Sequence, residues 1–157
     1  MMTDDQLVWG IDISPTRIAI AVYGEGTRVS ATTSLVNGHG QYEGIRDALT
    51  SMARNDAVWS EPTDICVEQP ALPFAKAAFW AGAACGRVED AILGRWPHIV
   101  LRWMQPSEWR KIAGIGGRAT KDEVMAWSLE AGFEPDDQDQ ADASAIAYAR
   151  YVELYEE

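Results

Sequence analysis

The chain has 157 residues, 47% of them apolar with seven Trp, and 24% charged; this suits one compact domain, 1–157, and excludes disordered, collagen-like and disulfide-framework classes. Its net charge of −11 argues at first against a nucleic-acid partner, because non-specific affinity for phosphates comes from Lys and Arg. The charge is unevenly spread, however: residues 1–75 carry −6, residues 76–121 carry +5 and residues 122–157 carry −10, so a basic block lies inside an acidic protein and a polyanionic partner stays open.

In chain order, Leu7 to Ile13 and Arg17 to Tyr23 are β-rich runs separated by Ser14-Pro15, which predicts a hairpin. Thr27 to Leu35 is a third, more polar strand suited to a sheet edge. Tyr42, Ile45, Leu49 and Met52 recur at helical spacing and predict a helix over 41–54. Asp64 to Gln69 is a short strand ended by Pro70, and Phe74 to Trp96 is a helix whose face is dominated by small residues. His98 to Trp103 gives a fifth strand, and Pro106 to Ala113 a short helix with Pro near its start. The loop Gly114-Ile115-Gly116-Gly117 leads to a helix through Val124, Trp127, Ser128 and Ala131, ended by Gly132, and a last helix runs from near Asp137 to about Leu154. This order predicts an α/β fold, a five-stranded mixed sheet flanked by helices.

The longest nearly uninterrupted apolar stretch, Ala77 to Cys85, is nine residues long, against the roughly 20 that a membrane span needs. No membrane association is expected. The N-terminal residues lack the basic start and apolar stretch of a secretory signal, and Cys66 and Cys85 read as isolated, small buried hydrophobes. A reducing, cytoplasmic location is the expectation.

Four carboxylates draw attention. Asp12 sits inside Trp9-Gly10-Ile11-Asp12-Ile13, where burial would cost several kcal/mol without a partner; it either caps the Ser14-Pro15 turn or faces a cation. Glu68, closing Ile65-Cys66-Val67, is either an exposed strand terminus or a second such group. Asp139 and Asp142 share a helix face that continues into Ile146 and Ala149, so both point toward the sheet. Asp137 and Gln140 are spaced as a capping box, which puts these acids in the first turns, where the helix dipole favours negative charge; decoration of that terminus is the alternative. Together, the four converge only with a cation between them, and an all-oxygen set favours Mg²⁺ or Mn²⁺. His39 and His98 are isolated and lie at no zinc-ligand spacing.

The ordered pieces Gly10-Ile11-Asp12, Val67-Glu68-Gln69, Ala113-Gly114-Ile115-Gly116 followed by Lys121, and Asp139-Gln140-Ala141-Asp142 running into Ala143-Ser144-Ala145-Ile146-Ala147 resemble the RuvC-type Holliday junction resolvases of the RNase H-like superfamily. The resemblance implies an RNase H-like fold, a homodimer, and hydrolysis of DNA at a four-way junction with two Mg²⁺ per active site, Mn²⁺ substituting. It implies that Asp12, Glu68, Asp139 and Asp142 hold the metals and that Lys121 lies near the scissile phosphate; a surface lysine is the alternative for Lys121. Gly114, Gly116 and Gly117 would bring backbone N–H groups to a phosphate, with Arg110, Lys111 and Arg118 bracketing them. Lys76, Arg87 and Arg95 lie on the small-residue helix, whose face suits either dimer packing or burial within the subunit. Phe74 is either a wedge for unstacked bases or simple core.

The chain departs from that family in placing Ile13-Ser14 where Pro-Gly usually follows the first Asp, so the backbone approach to DNA there is expected to differ. The acidic C-terminal third is also unusual for a DNA enzyme. The motifs leave open a broader fork or flap nuclease and a non-catalytic junction-binding protein. An actin-like ATPase shares the Gly-x-Asp strand but needs a second lobe that 157 residues do not supply.

Overall fold

Alternation along the strands sorts the side chains into two layers. The computed structural model describes residues 6–24, 26–54, 61–70 and 75–156, and the side chains of all these except 75–78. Strands β1 (Val8–Ile13), β2 (Arg17–Gly24) and β3 (Thr27–Ser34) form an antiparallel meander, while β4 (Asp64–Glu68) and β5 (Val100–Met104) continue the sheet in parallel with β1. The order is β3-β2-β1-β4-β5, which leaves the polar third strand at an edge, as its composition predicts.

One face of the sheet carries Trp9, Ile11, Ile13, Ile18, Ile20, Val22, Ile65 and Val67, packed with residues of α1 (Gln41–Ala53) and α2 (Ala75–Arg95). On α2 the inward residues include Ala84, Val88 and Ile92, while Ala81 is half-buried and Gly82 and Gly86 are exposed. The other face carries Ala19, Ala21 and Cys66, which pack with α3 (Pro106–Ile112), α4 (Lys121–Glu130) and α5 (Gln138–Tyr155).

Helix α5 lies against β1 because Gly10 has no side chain: a Cβ there would overlap the Ala143 carbonyl oxygen and the Ala147 backbone nitrogen and sit 2.9 Å from the Ala147 Cα. Cys66 is fully buried beneath this helix, and burial pushes its thiol far above the usual range; Cys85 is partly buried. Both are free thiols.

The start of β5 and the cap of α5 differ from expectation. Residues 97–98 form a turn, with the Ile99 N–H donating to the Trp96 carbonyl, so β5 starts at Val100 rather than His98. The capping box at α5 closes only halfway. Asp137 Oδ1 accepts from the Gln140 N–H at 2.8 Å, but Gln140 Oε1 accepts from the N–H of Asp136 and from Ser30 Oγ, both at 3.0 Å. That links the helix start to the edge strand instead. No described helix is long and apolar enough to cross a membrane.

Candidate active site

Asp12 lies two residues beyond Gly10 and therefore on the same face of β1, directed toward the first turns of α5. It does not cap the hairpin turn. The Ser14 N–H donates to the Arg17 carbonyl at 2.9 Å and Ser14 Oγ accepts from the Arg17 N–H at 3.1 Å, so Ser14 closes that turn. Glu68 ends β4 on the same face, because β1 and β4 run parallel with Ile11 opposite Val67. Two carboxylates thus leave neighbouring parallel strands at their C-terminal ends, the edge of an α/β sheet where ligands bind. Glu68 is no exposed terminus: it is half-buried, and Trp109 Nε1 donates to its Oε2 at 2.7 Å.

Asp139 and Asp142 complete the group from the N-terminus of α5, where unpaired N–H groups and the helix dipole favour anions. Gln138 Nε2 donates to Asp142 Oδ1 at 3.0 Å. Arg17, at the start of β2, pairs with Asp137 at 2.9 Å and with Asp139 at 3.3 Å.

The electrostatics follow from this crowding. Burial first, and then the charges of Glu68, Asp142 and Asp139, push the Asp12 carboxyl well above the usual range, with Arg17 pulling the other way. Burial, together with repulsion from Asp142 and Asp139, raises Glu68 to about 7, opposed by the Trp109 hydrogen bond and the Arg110 charge. Asp142 is raised by burial and by Asp139, and is held back by the Gln138 hydrogen bond and by Arg110 and Lys121. All four predicted acids therefore sense one another.

Arg110 lies over the Trp109 ring, its guanidinium 5.0 Å from the centroid, and its Nε is buried without a hydrogen-bond partner among the described residues. Lys121 is the first residue of α4, next to the Thr120 capping box. A cation at that end of a helix opposes the dipole, so its position is costly unless an anion lies close, and Asp142 is within range of its charge.

The glycine loop differs from expectation in one respect. Gly114 and Gly116 have positive φ, 77° and 106°, and their N–H groups donate back to the carbonyls of Lys111 and Arg110, which closes the end of α3. Of the three glycines, only Gly117 has an N–H with no acceptor among the described residues. Lys111 and Arg118 are exposed on either side of this loop.

The rest of the basic block is less available than its charge suggests. Arg95 pairs with Glu61 at 3.1 Å, Arg102 with Glu108 and Glu153 at 2.5 and 3.0 Å, and Arg87 Nη1 donates to Gln41 Oε1 at 2.6 Å. Phe74 lies outside the described residues, as does the side chain of Lys76.

Spacing did not single out Trp109, Arg17 or the contact role of Gly10. The one available signal was that a buried Trp must place its N–H on an acceptor.

Among the described residues, no group of three or more His, Cys, Asp or Glu is drawn tightly enough together to hold a metal ion as it stands. The donor chemistry nevertheless fits a hard divalent cation: the set is all oxygen, and burial and crowding raise the carboxyls of Asp12, Glu68 and Asp142, a penalty that a bound cation would remove.

The sequence matches no family profile and no curated protein. Among solved structures, RuvC from Thermus thermophilus superposes with a TM-score of 0.70 at 20% identity, covering 95% of each chain. The T. thermophilus RuvC complex with a Holliday junction substrate gives 0.68 at 18% identity, covering 96% of this chain and 97% of that one. Ydc2, the yeast mitochondrial Holliday junction resolvase, gives 0.53 at 11% identity, covering 99% of this chain and 86% of that one. At these identities the likeness is one of fold, and over nearly its whole length this chain has the RNase H-like fold of RuvC.

Proposed function

We propose that this chain is a Mg²⁺-dependent, structure-selective DNA endonuclease that cleaves four-way junctions by phosphodiester hydrolysis, acting as a homodimer in DNA recombination or repair. The observation that carries this reading is the mutual repulsion of Asp12, Glu68, Asp139 and Asp142 at one sheet edge, on a fold shared with RuvC, for which a complex with a Holliday junction substrate is known.

In this reading the four carboxylates hold two divalent cations, Mg²⁺ or Mn²⁺. When bound, such ions lower the pKa of a water and stabilise the leaving oxygen. The chain's own groups do the rest. Lys121 and Arg110 place positive charge beside the acids, where a phosphodiester and the charge developing on it would lie. The Gly117 N–H, with Lys111 and Arg118 flanking it, would fix the neighbouring backbone phosphates. Helix α5 carries its two acids at an end whose dipole lowers the cost of keeping them ionised.

The test is incubation of a labelled four-way junction, a fork and a plain duplex with Mg²⁺, Mn²⁺ or EDTA. Metal-dependent cleavage of the junction, lost in Asp12→Asn and Asp142→Asn, is expected. Wild-type cleavage by both variants would overturn the assignment. Equal cleavage of forks would replace it with a broader branched-DNA nuclease, and binding without cleavage with a junction-binding protein.

A further inference from the structure

Helix α3 contributes none of the four acids, yet it reaches the site. Glu68 is the last residue of β4, and holding its long side chain in one rotamer costs conformational entropy. Repulsion from Asp12 and Asp142 adds a force that drives the carboxylate away from them toward solvent. Something must hold it against both.

Trp109 is in a position to do so. It is completely buried in a cluster with Met104, Val124, Ala145 and Ile146, so its ring cannot follow a moving partner. Its Nε1–H meets Glu68 Oε2 at 2.7 Å, across 41 residues of sequence, and among the described residues it is the one hydrogen-bond donor to that carboxylate. The same ring lies under the Arg110 guanidinium.

We propose that Trp109 is a positioning residue for Glu68, fixing one carboxylate oxygen by its indole N–H and leaving the other for a divalent cation. The inference rests on the metal-dependent reading above. It differs from a core role in one chemical respect: a core residue needs the ring, and a positioning residue needs the N–H. The helper is a neutral donor and therefore adds no charge that would compete with the cation, whereas a Lys or Arg at that place would.

The test compares the wild-type chain with Trp109→Phe and Glu68→Gln. Binding of Mg²⁺ and of Mn²⁺ is measured by calorimetry, folding by thermal melting, and the indole N–H groups by ¹⁵N correlation spectra titrated with Mg²⁺. Trp109→Phe is expected to bind either ion about ten- to a hundredfold more weakly, while Glu68→Gln loses the Glu68-dependent binding. In the wild type, the Trp109 N–H resonance is expected to move as Mg²⁺ saturates, while those of Trp80 and Trp127 stay still.

Wild-type affinity in a folded Trp109→Phe, or an unmoved Trp109 resonance at saturation, overturns the positioning role and leaves the nuclease reading intact. If Trp109→Phe does not fold, the wild-type titration decides. Absence of Mg²⁺ and Mn²⁺ binding by the wild type overturns both.

Discussion

Arg150 of α5 grips Asp64 of β4 through two parallel hydrogen bonds, Nε to Oδ1 at 2.7 Å and Nη2 to Oδ2 at 2.9 Å, both side chains almost wholly buried. Asp64 and Glu68 are the two ends of one five-residue strand and, four residues apart, share its face. The same helix–strand pair is therefore locked by a bidentate ion pair at one end and brings its carboxylates together at the other. Arg150 also holds Glu153 at 2.6 Å, and Glu153 in turn accepts from Arg102, so the lock extends to β5.

Breaking one half of that pair leaves a buried charge uncompensated. Arg150→Met is expected to lose about 3–5 kcal/mol of unfolding free energy, and the double variant Asp64→Leu with Arg150→Met to recover most of it. Urea denaturation of the three proteins checks this; a double variant no better than the single would show that the pair itself, rather than the orphaned charge, supplies the stability.

Gly10→Ala introduces a Cβ into backbone atoms that cannot step aside. The expected loss is about 1–3 kcal/mol or more, with α5 displaced from β1 and Mg²⁺ affinity reduced with it. Thermal melting and metal titration of the variant read both effects, and an unchanged melting temperature would refute the close approach.

Asp12 and Glu68 are carboxyls whose folded pKa lies above the unfolded one. Their protonated forms suit the fold, so the stability these two groups contribute is fully present below about pH 4 and is lost as pH rises through their folded values, about 7 for Glu68. In EDTA the melting temperature should fall between pH 5 and pH 8, and millimolar Mg²⁺ should restore it by binding only the folded chain. Asp12→Asn should melt higher than wild type in EDTA at pH 8 and gain less from Mg²⁺. Parallel pH profiles with and without Mg²⁺ would argue against a shared cation site.

Lys111 and Arg118 are exposed beside the glycine loop, and each is expected to meet one DNA phosphate. Replacing either with Ala should leave the melting temperature unchanged and reduce the slope of log affinity against log salt by about 0.9. Junction binding measured by anisotropy across a salt series in Ca²⁺ gives that slope.

Much of the site was legible from spacing. Asp12 and Glu68 stand in apolar strands where a carboxylate requires a reason, and Asp139 and Asp142 share a helix face with Ile146 and Ala149. The strands and helices themselves followed from alternation and from period 3.6, because those periods are local properties of the chain. The glycine loop was legible as a loop but not in its wiring, since whether an N–H meets a carbonyl at the end of α3 or remains for a phosphate depends on positive φ angles that composition only permits.

The sequence by itself determined the elements, the acidic set and the basic block, because each is written in residue type and interval. Only the tertiary structure decided which charges are available. Arg87, Arg95 and Arg102 are engaged by Gln41, Glu61, Glu108 and Glu153, Arg17 by Asp137 and Asp139, and Glu68 is held by Trp109. Hydrogen bonds and ion pairs act over about 3 Å in space, between residues that lie six to 122 positions apart in the chain, and no local period records such a distance.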